Sequence, residues 1–139
     1  MAVRPRCRVS GSAYLIHPCG HVRALAFRQR GRKVPRLTFI HANGERESHR
    51  VAAGSTVMDC AFDHRVRGLI GQCGGACRCL TCHCYVETPW RRRLPAPEED
   101  EREMLEYALE RRKSSRLACQ IVVSEALDGL VVRIPKRHP

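Results

Sequence analysis

Within the run Cys73-Gly74-Gly75-Ala76-Cys77-Arg78-Cys79-Leu80-Thr81-Cys82-His83, three thiols stand at C-x5-C-x2-C, and Cys119 follows 37 positions beyond Cys82. A loop that turns three thiols toward one group has to curl tightly, which needs small side chains and backbone freedom. Gly74, Gly75 and Ala76 supply both, and glycine tolerates the positive φ angles that aim successive N–H groups inward. Four cysteine thiolates at nearly this spacing hold iron–sulfur clusters; the plant-type pattern C-x4-C-x2-C…C differs by one residue in the first gap. Inward N–H groups can then hydrogen-bond to sulfur, and a distant fourth ligand ties the loop to the rest of the fold.

Other uses of the thiols fit less well. Structural zinc normally takes two short C-x2–4-C knuckles, and Cys119 has no close partner in sequence. The chain has nine cysteines, an odd number, so complete internal pairing is impossible. A catalytic cysteine needs a general base, for which His83 is the only neighbour. No segment combines the features of a secretory signal, and no apolar run approaches membrane-spanning length. The thiols are therefore expected to be reduced. At 139 residues one domain with one site is expected.

The net charge of +11 is unevenly placed. Arg4, Arg6, Arg8, Arg23, Arg28, Arg30, Arg32 and Lys33 fall in residues 1–33, which hold no acid, while 17 basic and 14 acidic residues follow. Residues 1–33 read as a disordered basic extension, with an organelle transit peptide or a misplaced start as the alternatives. Residues 34–139 read as the folded domain. Its near balance of charge argues against nucleic-acid binding, as does the shortness of the Arg91–Arg93 run beside Trp90.

Local patterns give an α+β fold. Leu37–Ala42 and Glu45–Val51 flank Asn43-Gly44 as a hairpin. Thr56 with Asp59 three residues on predicts a cap and a helix to about His64. A strand is expected over His83–Glu87, a helix over Glu98–Arg111 with Met104, Leu105 and Ala108 on its apolar face, and closing strands at Ile121–Val123 and Leu130–Ile134 around Asp128-Gly129. Glu99, Glu103, Glu106 and Glu110 recur at spacings of four, three and four, which puts them in one stripe of the second helix.

Taken together, Cys73, Cys79, Cys82-His83, the run Ser115-Arg116-Leu117-Ala118-Cys119-Gln120, and Asp128-Gly129-Leu130-Val131-Val132 resemble the adrenodoxin-like, vertebrate-and-bacterial type of 2Fe–2S ferredoxin from about Pro35 to Pro135. The resemblance implies a β-grasp, ubiquitin-like fold and one 2Fe–2S cluster on Cys73, Cys79, Cys82 and Cys119. It also implies a one-electron carrier, not an enzyme, between an FAD-dependent ferredoxin reductase and a cytochrome P450, another oxygenase or the iron–sulfur assembly machinery. Gly74, Gly75, Ala76, His83 and Arg116 would surround the ligands, with His83 a tie to the core and not a ligand. Glu99, Glu103, Glu106 and Glu110 would form the docking face, smaller and less negative than is usual because Arg102 intrudes and Arg111, Arg112 and Lys113 follow. Arg78 and Arg116, next to ligands, would favour the reduced cluster. Cys7, Cys19, Cys60, Cys77 and Cys84 stay outside the ligand set, Cys60 as a small buried hydrophobe. A monomer in a bacterial cytoplasm is expected, or in a mitochondrial matrix if the extension is a transit peptide.

Overall fold

The computed structural model describes residues 33–138, so the extension expected over 1–33 lies outside them except for Lys33. Five strands and two helices follow in the order β1 Arg36–Ile40, β2 Arg46–Arg50, α1 Val57–Asp63, β3 His83–Val86, α2 Glu99–Glu106, β4 Ser115–Leu117 and β5 Leu130–Arg133. The sheet order is β2-β1-β5-β3-β4. β1 and β5 run parallel at its centre, while the other neighbours are antiparallel. This mixed sheet is the β-grasp arrangement.

The hairpin forms where the sequence places it. Ile40 pairs with Arg46, and the five-residue connection between them closes with the Gly44 N–H on the His41 carbonyl at 2.9 Å. Gly44 sits at φ 91, a conformation that side chains resist. Along β1, Leu37 and Phe39 are fully buried and meet Leu130 and Val132 of β5. Each such side chain contributes about 1.5–3 kcal/mol by leaving water. α1 covers this core with Val57, Met58, Cys60 and Ala61. Its entry is a full capping box, in which Thr56 Oγ1 accepts the Asp59 N–H at 3.0 Å and Asp59 Oδ2 accepts the Thr56 N–H at 2.8 Å.

Three boundaries differ from expectation. α2 ends at Glu106 instead of running to Arg111: the Tyr107 and Ala108 N–H groups tighten onto Met104 and Leu105, and Glu110 lies at φ 54, which no continuing helix allows. Ile121–Val123 is not a sheet strand. It bonds to the irregular segment leading into α1, with Val57 N–H on Ile121 O and Val123 N–H on Ser55 O. β4 was not anticipated as a strand, since three residues carry too little pattern.

Candidate thiol site

The loop from Gly71 to Cys82 has no regular structure and bends through positive φ at Gly71, Gly74, Gly75, Cys77 and Leu80. Gly74 and Gly75 are where the sequence asks for such angles; Cys77 at φ 57 and Leu80 at φ 57 hold them without glycine's freedom. Leu80 is 5 % exposed and anchored in the core, which maintains that conformation.

The bends bring four thiols together as two pairs. Cys73 donates its N–H to Cys79 Sγ at 3.4 Å. Cys82 Sγ lies 3.5 Å from Cys119 Sγ, the latter carried by the turn Ala118–Gln120 directly after β4. The register of β3 with β4, His83 opposite Leu117, brings the two ends of this pair into reach. Among the described residues no disulfide forms, and no three His, Cys, Asp or Glu side chains close on one point. Two thiol pairs instead match the donors that a cluster of two irons needs.

The surroundings favour negative sulfur at this place. Against the desolvation that opposes it, N–H groups of Arg78, Gly75 and Ala76 and the neighbouring Cys79 hold the Cys73 thiol below its ordinary range. Cys119 is brought down to about 6, first by its hydrogen bond with Cys82 and also by Gln120 and the Cys77 N–H. Cys82, its partner in that bond, moves up correspondingly. Burial pushes the thiols outside the proposed ligand set up as well, Cys77 to about 11, Cys60 to about 11 and Cys84 to about 12.

Three contributors are not visible from spacing. Thr81 Oγ1 accepts the Gln72 N–H at 2.9 Å and lies 2.9 Å from Cys79 Sγ, close enough to donate its proton to that sulfur when Cys79 is a thiolate. Gln120 Nε2 reaches Cys119 Sγ at 3.3 Å and the Gly75 carbonyl at 3.4 Å, bridging the loop to the distant thiol. Glu101, 2 % exposed, receives the Arg116 guanidinium at 2.7 and 3.0 Å and the Leu117 N–H at 2.8 Å. Arg116 also donates to Pro95 O at 2.8 Å. Its charge, expected to act beside the thiols, is thus neutralised, and the residue fastens α2 to β4 instead.

His83 is fully buried, with Nε2 2.9 Å from Ser115 Oγ and its ring edge-on to Tyr85 at 5.0 Å. Burial above all, helped by His138 and Arg112, lowers it to about 4, so it is neutral and ties β3 to the start of β4. Glu99, Glu103 and Glu106 are exposed on α2, whereas Glu110 lies beyond the helix end and off the expected stripe. The Ala76–Arg78 backbone forms one groove with Asp100, Glu103, Met104, Glu106 and Tyr107. Asp100, unpredicted as a site residue, joins the acids there.

Comparison with known proteins gives the family. The model described as "2Fe-2S iron-sulfur cluster binding domain" matches residues 40–124. Rhodocoxin of Rhodococcus erythropolis is 41% identical over 106 residues, 76% of this chain and 99% of that protein. The mitochondrial adrenodoxin homolog of Saccharomyces cerevisiae is 40% identical over 101 residues, 73% of this chain and 58% of that protein. In the solved covalent putidaredoxin reductase–putidaredoxin complex, the matching chain superposes with a TM-score of 0.70 at 38% identity, covering 73% of this chain and 99% of that one. Sheet, thiol geometry and relatives agree: the chain belongs to the adrenodoxin-like 2Fe–2S ferredoxins, one-electron carriers with a single two-iron cluster and no catalytic turnover of their own.

Proposed function

We propose that Cys73, Cys79, Cys82 and Cys119 are the four ligands of the cluster, and that this ferredoxin takes one electron at a time from an FAD-dependent reductase. The acceptor is a cytochrome P450, another oxygenase or the iron–sulfur assembly machinery. The approach of the four thiols as two pairs, one of them the 3.5 Å pair of Cys82 and Cys119, carries this reading. When bound, the cluster supplies a one-electron couple. The chain supplies its insulation and its access. Cys82 and Cys119 face the core, while Cys73 and Cys79 are half-buried beneath exposed Gly74, Ala76 and Arg78. A partner can therefore come close on the loop side while the opposite side stays dry. The acids of α2 border that side and would steer a partner carrying basic residues, giving fast, salt-sensitive and short-lived encounters.

The relative of known structure in covalent complex with its reductase favours a reductase as the donor. The described surface is compatible with a monomer, and no helix among the described residues is long and apolar enough to cross a membrane. With reduced thiols and bacterial relatives, a bacterial cytoplasm is the proposed setting; nothing in the described residues supports the mitochondrial alternative. Substitution tests the ligand set. Serine at Cys73, Cys79, Cys82 or Cys119 is expected to abolish the red-brown visible absorption of the purified protein, and serine at Cys77 or Cys84 to retain it. A full-strength spectrum in Cys119→Ser would refute the assignment.

A further inference from the structure

Helix α2 separates charges of opposite sign onto two flanks. On one flank Asp100, Glu103 and Glu106 line the groove shared with the cysteine loop. On the other, Arg102, Arg111, Arg112 and Lys113 line a second groove of about 400 Å³, floored by Leu105 and containing no acid. At 3.6 residues per turn Glu99, Glu103 and Glu106 fall along one line, and Arg102 is displaced from it toward buried Leu105.

The basic flank is held in place. Glu110 at φ 54 turns the chain after α2, and its carbonyl accepts the Tyr85 hydroxyl at 2.8 Å. The Arg112 guanidinium lies 4.3 Å from the Tyr85 ring centre, and the Arg112 backbone N–H donates to Ser115 Oγ at 2.8 Å. Arg102, Arg111, Arg112 and Lys113 form no ion pair among the described residues. They are exposed.

This balance limits what can dock. Across residues 98–113, exposed Glu98, Glu99, Asp100, Glu103, Glu106 and Glu110 oppose four exposed cations, for a net charge of −2. α2 is about 12 Å long, and salt screens over about 8 Å at physiological strength. A uniformly basic surface laid on this face would meet repulsion almost as near as attraction. A surface with both signs in matching order meets attraction on each flank.

We propose that this face takes a protein partner whose own docking site is bipolar, with a basic patch for the acidic groove beside the cysteine loop and an adjoining acidic patch for Arg102, Arg111 and Lys113. The inference rests on the reading of α2 as the docking face. It makes the basic flank part of recognition, where an acidic-face account treats it as an intrusion.

The two accounts predict opposite signs for one variant. Anaerobic stopped-flow reduction of the full-length, cluster-loaded ferredoxin by pre-reduced putidaredoxin reductase, at low ionic strength, provides the rate. Arg111→Glu with Lys113→Glu is expected to lower the second-order rate constant by about threefold or more, with the visible spectrum unchanged because neither side chain lies in the cysteine loop. An acidic-face account expects the same variant to react faster, since it removes repulsion. An unchanged or increased rate overturns the bipolar inference, provided Glu103→Lys with Glu106→Lys slows the reaction. If that acid-to-lysine variant also reacts at the wild-type rate, the docking reading itself has failed, and this inference falls with it.

Discussion

Around the thiols, single atoms decide how easily an electron is accepted. The Thr81 hydroxyl accepts from Gln72 and lies 2.9 Å from Cys79 Sγ; a thiolate there can only accept, so the hydroxyl is the donor once Cys79 is deprotonated as a ligand. A donor to a ligand sulfur is worth more as the cluster gains negative charge, so it raises the reduction potential. If the bond is worth about 1 kcal/mol more to the reduced state, its loss shifts a one-electron couple by roughly 40 mV. Thr81→Ala is expected to lower the potential by about this amount in protein-film voltammetry, with the cluster retained; an unchanged potential would mean that the hydroxyl does not act on the cluster. Glu101 works differently, as a strut. It is the only carboxylate bonded to buried Arg116 among the described residues, and removing one member of a buried ion pair costs about 3–5 kcal/mol because the other charge is left in the core. Glu101→Gln should lower the temperature at which the visible absorption is lost on heating far more than Glu103→Gln, which changes an exposed acid of the same helix. Equal effects would contradict the strut.

At the scale of elements, what could be read in advance was what neighbours in sequence determine. The Thr56–Asp59 cap and the hairpin turn at Asn43-Gly44 depend on residues a few positions apart, and both are found. The four thiols proposed as ligands are likewise picked out by spacing, because C-x5-C-x2-C with a distant cysteine fits few other uses, and folding sets them in two pairs. Features set by tertiary contact were not legible in advance. β4 is a strand because His83, Cys84 and Tyr85 of β3 pair with it, not through any pattern in Ser-Arg-Leu. Ile121–Val123 has the composition of a strand but finds only the approach to α1 as a partner. The helix expected to reach Arg111 stops at Glu106, and Leu109, past the turn that ends it, is 44% exposed. Thr81, Gln120 and Glu101 gain their roles from atoms brought near by folding, so no spacing reveals them. Glu110 was assigned to the acidic stripe on the assumption of a longer helix.

For the molecule as a whole, the β-grasp sheet fixes one end of the cluster site and leaves the other adaptable. Cys119 is set by β4 and the strut beneath it, Cys82 by the start of β3, and the remaining two by a loop that only small residues allow to turn. α2 is fastened to β4 two residues before Ala118, so the proposed docking face and Cys119, the proposed fourth ligand, are parts of one rigid assembly. The most direct test is the iron and acid-labile sulfide content of anaerobically purified protein. Two irons and two sulfides per chain are predicted. Protein that carries zinc, or neither iron nor sulfide even after reconstitution, would contradict the assignment of these thiols to an electron-carrying cluster.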